Sequence, residues 1–354
     1  MRTFRLVTAA VAMAAAVLVV GSAAGGIADD IFTVHSLVSD TSASAPATDA
    51  SLVNGWGLSA GPTTPWWVSN NGTNTSTLYN GAGAKQALTV AVPGGPTGTV
   101  FNGAATDFVV SQNGKSAAAR FLFATEAGTI LGWSPAVNGT NAIPGVDRSA
   151  SGAVYKGLTT IADRLYATDF HNGRIDVFDS SFNPVASAAF TDPKLPAGYA
   201  PFGIQALAGS IFVTYAKQDT AKKDGVPGNG FGYVDQFTPD GQLVARVASG
   251  GRKNAPPNEP WGLALAPSSF GVFSGDVLVG NFGNGRVSAY EDRGGGKWVY
   301  KGQLRHGDQT LVTIDGLWAI AFGNGAAGGP TTTLYFASGP GGEAHGLFGS
   351  ITAG

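Results

Sequence analysis

Cysteine is absent from the 354 residues, and that absence alone removes several possibilities. It excludes disulfides, a lipid-attachment cysteine, a thiolate nucleophile and Cys-ligated zinc. Charge is scarce as well: Asp, Glu, Lys and Arg make up 12% of the chain, with 21 basic and 23 acidic side chains. So sparse a charge leaves no basic footprint for nucleic acid or an anionic membrane. The four histidines (His35, His171, His306 and His345) show no metal-ligand spacing and read as structural or surface groups. No segment of about ten residues or more carries a 3.6-residue apolar period, so helices do not organise the fold. Only residues 6–20 form a long apolar run, and nothing else is apolar enough to span a bilayer.

That run is preceded by Arg2 and Arg5 and followed by Gly21, Ser22, Ala23 and Ala24. Basic, apolar, then small is the order of a secretory signal peptide, with cleavage expected after Ala24 or, as second choice, after Ala28. An uncleaved N-terminal anchor is the alternative. Cleavage would leave 19 basic against 23 acidic side chains, a formal net charge of −4. The expectation is a soluble, monomeric protein, secreted to an extracellular or periplasmic location and spanning no membrane. A hydrophobic content of 44% argues against disorder. Roughly 325 mature residues exceed the usual single core, so two domains or a repeat architecture is expected.

A repeat is present. One element is an aromatic followed by Gly and Leu or Ile: "WGLS" at Trp56, "FGIQ" at Phe202, "WGLALA" at Trp261. "GLWAIA" at Gly316 is a shuffled version, and "TDFVV" at Thr106 and "GLTTIA" at Gly157 are weaker ones. A second element follows as "WWVSN" at Trp66, "FLFATE" at Phe121, "LYATDF" at Leu165, "IFVTY" at Ile211, "VLVGNF" at Val277 and "LYFAS" at Leu334. A third comes at once, as in "GRIDVF" at Gly173 and "GRVSAY" at Gly285. Each is a short run of β-branched, aromatic and small residues bounded by Gly, Asn, Asp or Pro, which is the pattern of strands. Asn172-Gly173 and Asn284-Gly285 supply the positive φ angles of tight hairpins. Fourth strands are expected from Ala87, Ala153, Pro184, Gln242 and Trp298, five for six triplets. The stretch "IFTVHSLV" from Ile31 supplies the missing one and closes the ring.

The expected fold is therefore all-β, a six-bladed β-propeller of four-stranded blades. The expected blades are residues 54–92, 104–156, 157–190, 201–248, 259–304 and 314–352, with residues 31–38 as the closing strand of a single domain spanning 29–354. The pattern "aromatic-Gly-Leu … LYATDFHNGRIDVFD" resembles NHL-type propellers and their gluconolactonase-like and streptogramin-lyase-like relatives. More closely, the run from "NGWGLS" to the terminal strand is similar to a family of secreted bacterial six-bladed propellers with no assigned activity. The motif speaks for fold and says little about function, because propellers host unrelated activities.

Catalytic motifs are few. "GLSAG" at residues 57–61 matches G-x-S-x-G, but two prolines and a strand follow Ser59 where a nucleophile elbow needs a helix. Asn113-Gly114-Lys115-Ser116 lacks the upstream glycine of a P-loop. Oxygen ligands remain. Asn70, Glu126, Asp169, Asn281 and Ser338 recur at the ends of second strands, while Asp107 and Asp315 sit near first strands, with Asn54, Asn258 and Glu259 close by. Facing the axis, Asp107, Asp169, Asn281, Glu126, Asn70 and Asp315 could hold Ca²⁺, which takes six to eight oxygens. The gluconolactonase-like resemblance implies such an axial metal polarising a lactone or ester carbonyl. The chain departs from that pattern, with Asn54 where those proteins begin blade one with a Glu. The competing reading is that these residues cap strand ends.

Trp56, Trp261 and Trp318 either form an aromatic rim for a sugar or polymer or wedge between blades. The charged insertion at 216–230 breaks the repeat and is the best local candidate for a lid or partner contact. Two functions stay open. One is a binding or scaffold propeller for an extracellular polysaccharide, peptide or protein partner. The other is a Ca²⁺-dependent lactonase or esterase-type hydrolase with its metal on the axis. A streptogramin-type lyase is a weaker third, since no convergent His and acid are visible.

Overall fold

The computed structural model describes residues 31–186 and 189–354. The expected signal peptide and both cleavage points fall outside them. The described chain forms six sheets in a ring, each first strand packed against the first strands of its two neighbours. Blade 1 contains Gly55–Ser59, Trp66–Asn70, Thr75–Tyr79 and Lys85–Ala91, blade 4 contains Tyr199–Leu207, Ser210–Lys217, Gly232–Phe237 and Leu243–Ser249, and blade 5 contains Pro260–Leu265, Val277–Asn281, Arg286–Asp292 and Trp298–Gln303. Blade 6 contains Leu317–Phe322, Leu334–Ser338 and Leu347–Ala353, and the N-terminal strand Phe32–Ser39 completes it. That strand pairs antiparallel with the last one, Val34 opposite Ile351, so the ring closes as the sequence implied.

Two blades differ from expectation. In blade 2 the first strand is Pro96–Phe101, not the stretch at Thr106, and it pairs with Phe121–Thr125. Val109–Gln112 and Lys115–Ala118 form a separate hairpin inserted between them. The crowded ring selects small residues, which Thr97-Gly98 provide, whereas Phe108 has a left-handed φ of 55° that breaks any strand from Thr106. The fourth strand of blade 2 is Ile143–Asp147. The "AVYKG" stretch expected there instead opens the first strand of blade 3, Tyr155–Ile161. Blade 3 continues with Arg164–Asp169 and Arg174–Phe178, and among the described residues it has three strands. The strand expected from Pro184 shrinks to a single bridge with Phe178, in keeping with a proline that cannot donate to a ladder.

The inner ring explains the repeated glycine. Gly57, Gly98, Gly157, Gly203 and Gly262 occupy one position in five first strands, and Ala319 takes it in the sixth. A Cβ on Gly203 would lie 2.0 Å from the Trp261 carbonyl oxygen, and one on Gly57 would lie 2.2 Å from that of Thr97. The backbones of neighbouring blades meet there, so the site admits almost no side chain. Blade faces are covered by large apolar residues, as where Phe32, Phe270, Phe336 and Leu334 share a core between blades 5 and 6. The two "NGR" turns are the second-to-third-strand hairpins of blades 3 and 5, with Gly173 at φ 66° and Gly285 at φ 67°.

Candidate functional site

The residue just before each inner-ring glycine or alanine is Trp56, Thr97, Lys156, Phe202, Trp261 or Trp318. Side chains from five different blades meet here, which places them on the axis. Trp56 stacks on Trp318 at 3.7 Å between ring centroids, and Phe282 stacks on Trp318 at 3.8 Å. Phe202 and Trp261 complete the cluster at 5.8 and 6.1 Å from Trp318. Trp56 and Trp318 are each 2% exposed. They therefore form a plug across the axis, neither an open rim nor a wedge between blades. Trp261 is half-buried and reaches the other side of the plug.

Lys156 is the exception in this ring. It is wholly buried, its ammonium lies 4.7 Å from the centroid of Trp56, and its charge is met by Glu126 at 2.6 Å and Asp224 at 2.7 Å. A cation over a tryptophan face is favourable, more so when desolvated. A polar network extends outward from it. Asn71 Nδ2 donates to Glu126 Oε2 at 3.0 Å, Asn54 Nδ2 donates to Glu343 Oε2 at 2.6 Å, and Trp318 Nε1 donates to Asn54 Oδ1 at 2.9 Å. Glu259, from blade 5, is 2% exposed and its Oε2 has no hydrogen-bond partner. Burial, reinforced by the nearby Glu343 and Asp224 carboxylates, pushes Glu259 up to about 8 against the pull of Lys156. Glu343 is raised too, first by burial of its carboxylate end, although the residue as a whole is exposed.

The backbone shapes this mouth. Two positions before the axial residue the chain turns left-handed in four blades, at Asn54 (φ 47°), Gly95 (φ 70°), Glu259 (φ 53°) and Gly316 (φ 62°). Asn and Gly adopt that region readily, whereas Glu does so only under constraint. The insertion between the second and third strands of blade 4 crosses the same mouth as a strap. Its Asp224 reaches Lys156, its Gly225 lies against Glu259, and the Gly228 amide donates to Asn258 Oδ1 at 2.7 Å. Lys217 at its base lies 4.3 Å from the ring centre of Phe231 at its far end.

Of the six oxygen ligands expected from sequence, only Glu126 joins this cluster. Three others bond to their own turns. Asn70 Nδ2 donates to Thr75 and Thr77 at 3.0 Å each, and Asn281 Nδ2 donates to the Arg286 carbonyl at 3.0 Å. Asp169, raised by burial, accepts from the Val154 and Asn172 amides and from Asn172 Nδ2 at 2.7 Å. By register the residue matching Asn70 is Thr125, so Glu126 stands one place further on and is free to reach inward. Asp107 belongs to the loop before the inserted hairpin, where Thr106 donates to it at 3.1 Å, and exposed Asp315 accepts from the Gly341 amide at 2.8 Å. Sequence reasoning missed Lys156, Asp224, Glu343 and Asn71. The available signal was a lysine in "YKGL" where the repeat has an aromatic. Among the described residues no group of three or more His, Cys, Asp or Glu is arranged to hold a metal ion.

On the other side of the plug the axis widens into a cavity of about 400 Å³ lined by all six first strands. Leu58, Leu158, Ile204, Trp261, Leu263 and Ile320 form its walls, with Ser59, Gln205 and Asn324 as polar points. Ser59 donates to Thr99 at 3.4 Å and no helix follows it, so the G-x-S-x-G string builds no elbow.

No family model matches the chain. It is 34% identical over 234 residues to the uncharacterized protein R640 of Acanthamoeba polyphaga mimivirus, covering 64% of this chain and 42% of R640. The chain thus matches less than half the length of that relative. To the uncharacterized protein R648 of the same virus it is 30% identical over 301 residues, covering 81% of this chain and 73% of R648. These relatives are viral, whereas the sequence resemblance implied a bacterial family. Among solved structures, streptogramin B lyase aligns with a TM-score of 0.51 at 12% identity, over 92% of this chain and 98% of that one. An identity so low supports the propeller fold alone.

Proposed function

The chain belongs to one family with mimivirus R648, and from that premise we propose that it is a secreted ligand-binding or scaffold propeller, not a metal-dependent hydrolase. The observation that carries this reading is the ammonium of Lys156. It lies where an axial cation would sit and takes up Glu126 and Asp224, the carboxylates best placed to hold one. A Ca²⁺ ion needs six to eight oxygens around it, whereas here Glu343, Glu126 and Asp169 accept from Asn54, Asn71 and Asn172, and the unpartnered Glu259 Oε2 alone is too little for the ion. The residues do not fit the ion, and no hydrolytic step is routed through one. Binding on the other side of the plug is supported by the apolar axial cavity, whose size and few polar points suit an apolar group of a ligand or partner. Export is supported by the basic, apolar and small-residue order of residues 1–24.

The test is metal content and thermal stability of the purified full chain, with chelator and with added calcium. No stoichiometric metal and an unchanged melting temperature are expected in both. Retained metal, or a melting temperature lowered by chelator and restored by calcium, overturns the reading and returns the lactonase alternative.

A further inference from the structure

Packing accounts for a plug across the axis, but it does not account for the strap. Lys156 is fully buried, yet one of its two carboxylate partners comes from an inserted loop whose Asp224 side chain is 57% exposed. A blade could have supplied that charge, as blade 2 does with Glu126. Beneath the strap lies Glu259, buried, in left-handed backbone, with an unpartnered Oε2. Gly225 sits directly on it, since a Cβ there would come within 2.1 Å of Glu259 Oε1. A buried polar atom left without a partner is costly, and strain of this kind collects at binding sites.

We infer that the axial mouth is a carboxylate-binding site, and that Asp224 is its tethered occupant, displaced by a free carboxylate as the strap lifts. The closed structure shows that a carboxylate is accepted there despite Glu126 and Glu343. Lys156 would give the incoming group a charge-assisted bond of the kind it gives Asp224. Burial holds Glu259 protonated near neutral pH in the closed state, and a carboxylate that takes the place of Asp224 would cover it again and keep it so, meeting a hydroxyl donor in place of a repelling charge. A cationic ligand would have to approach a buried ammonium, so the chemistry selects anions. This site is separate from the apolar cavity and rests on Lys156 filling the axial mouth. The experiment below is run with chelator present, so it and the metal test can fail independently.

The probe is sodium acetate, titrated against sodium chloride at matched ionic strength, with melting temperature and tryptophan fluorescence as readouts. Asp224→Asn removes the tethered charge and keeps its shape. Gly225→Ala wedges the strap off Glu259 without altering any charge. Both variants are expected to respond to acetate saturably. Wild type should need about tenfold more acetate or beyond, because its binding-competent open state is a minor population of about a tenth or less. Adding Lys156→Met to Asp224→Asn should abolish the response. Equal responses from wild type and both single variants, an equal effect of chloride, or a response surviving loss of Lys156 would each overturn the proposal.

Discussion

Replacing Glu259 by glutamine probes the axial mouth most directly, because the two side chains share a shape and differ in whether they can ionise. Below pH 4.5 the glutamic acid is protonated in both folded and unfolded chains, and the stability it permits is fully present. Between 4.5 and about 8 the folded protein keeps a proton that the unfolded chain has released, so stability falls as pH rises. Above about 8 the loss is complete. At about 1.4 kcal/mol per pH unit, a rise from 4.5 to about 8 is worth at most about 5 kcal/mol. The strap sets a lower ceiling. If ionising Glu259 costs more than breaking the Asp224–Lys156 contact, the strap opens and water reaches the carboxylate. We therefore expect wild type to lose about 2–4 kcal/mol relative to Glu259→Gln between pH 5 and pH 9. Urea unfolding of both proteins at several pH values reads this difference. Asp169 and Asp235 are also raised by burial, so only the comparison of the two proteins isolates Glu259. Curves that run parallel within about 0.5 kcal/mol across that range would refute the reasoning, since they would mean that Glu259 ionises as freely folded as unfolded.

Three further perturbations test the frame around the site. Gly203→Ala places a methyl 2.0 Å from the Trp261 carbonyl oxygen and should cost about 3 kcal/mol or more in urea unfolding, while Gly103→Ala, with its nearest neighbour at 3.6 Å, should stay within about 1 kcal/mol. Trp318→Ala removes stacking on Trp56 and Phe282 and strips Asn54 Oδ1 of its donor, an expected loss of about 4 kcal/mol by the same measurement. Removing residues 25–39 uncovers the edge of Leu347–Ala353. Size-exclusion chromatography should then show association, and a stable monomer with an unchanged melting temperature would contradict the role of ring closure.

The repeat made the fold legible because its constraints are local and recur. The crowded inner ring admits Gly or Ala in every blade, the second strands are buried on both faces, and the hairpins need residues that tolerate positive φ. Blade 2 misled because "TDFVV" has the apolar profile of a strand, while the true first strand, "PTGTVF", has Thr where four of the other blades carry an aromatic. Thr97 can stand there because its hydroxyl donates to the Tyr155 carbonyl of the next blade at 2.9 Å, a contact invisible from one-dimensional pattern. That slip shifted the register of the following segment, so Lys156 was assigned to an outer strand and its place on the axis was hidden. The oxygen ligands misled for a different reason. Asn70, Asp169 and Asn281 recur because each ties the end of its second strand to its own hairpin, Asp169 and Asn281 through the backbone and Asn70 through the Thr75 and Thr77 hydroxyls, a need that repeats with the blade.

This contrast locates function. Whatever packing requires appears in every blade, so a residue that matches the repeat carries little information about a ligand. The polar members of the axial mouth share the opposite property. Lys156 replaces an aromatic, Asp224 belongs to an insertion found in one blade, Glu343 comes from the loop before the last strand, and Glu259 occupies a left-handed position that three other blades give to Asn or Gly. None of these exceptions is explained by its own blade, and all of them converge on one end of the axis. Independent departures from a packing rule would scatter around the ring if they were neutral. Their convergence on a buried ammonium and an unpartnered carboxyl oxygen is the strongest argument that this mouth, and not the repeated strand-end oxygens, is where the protein meets a polar ligand.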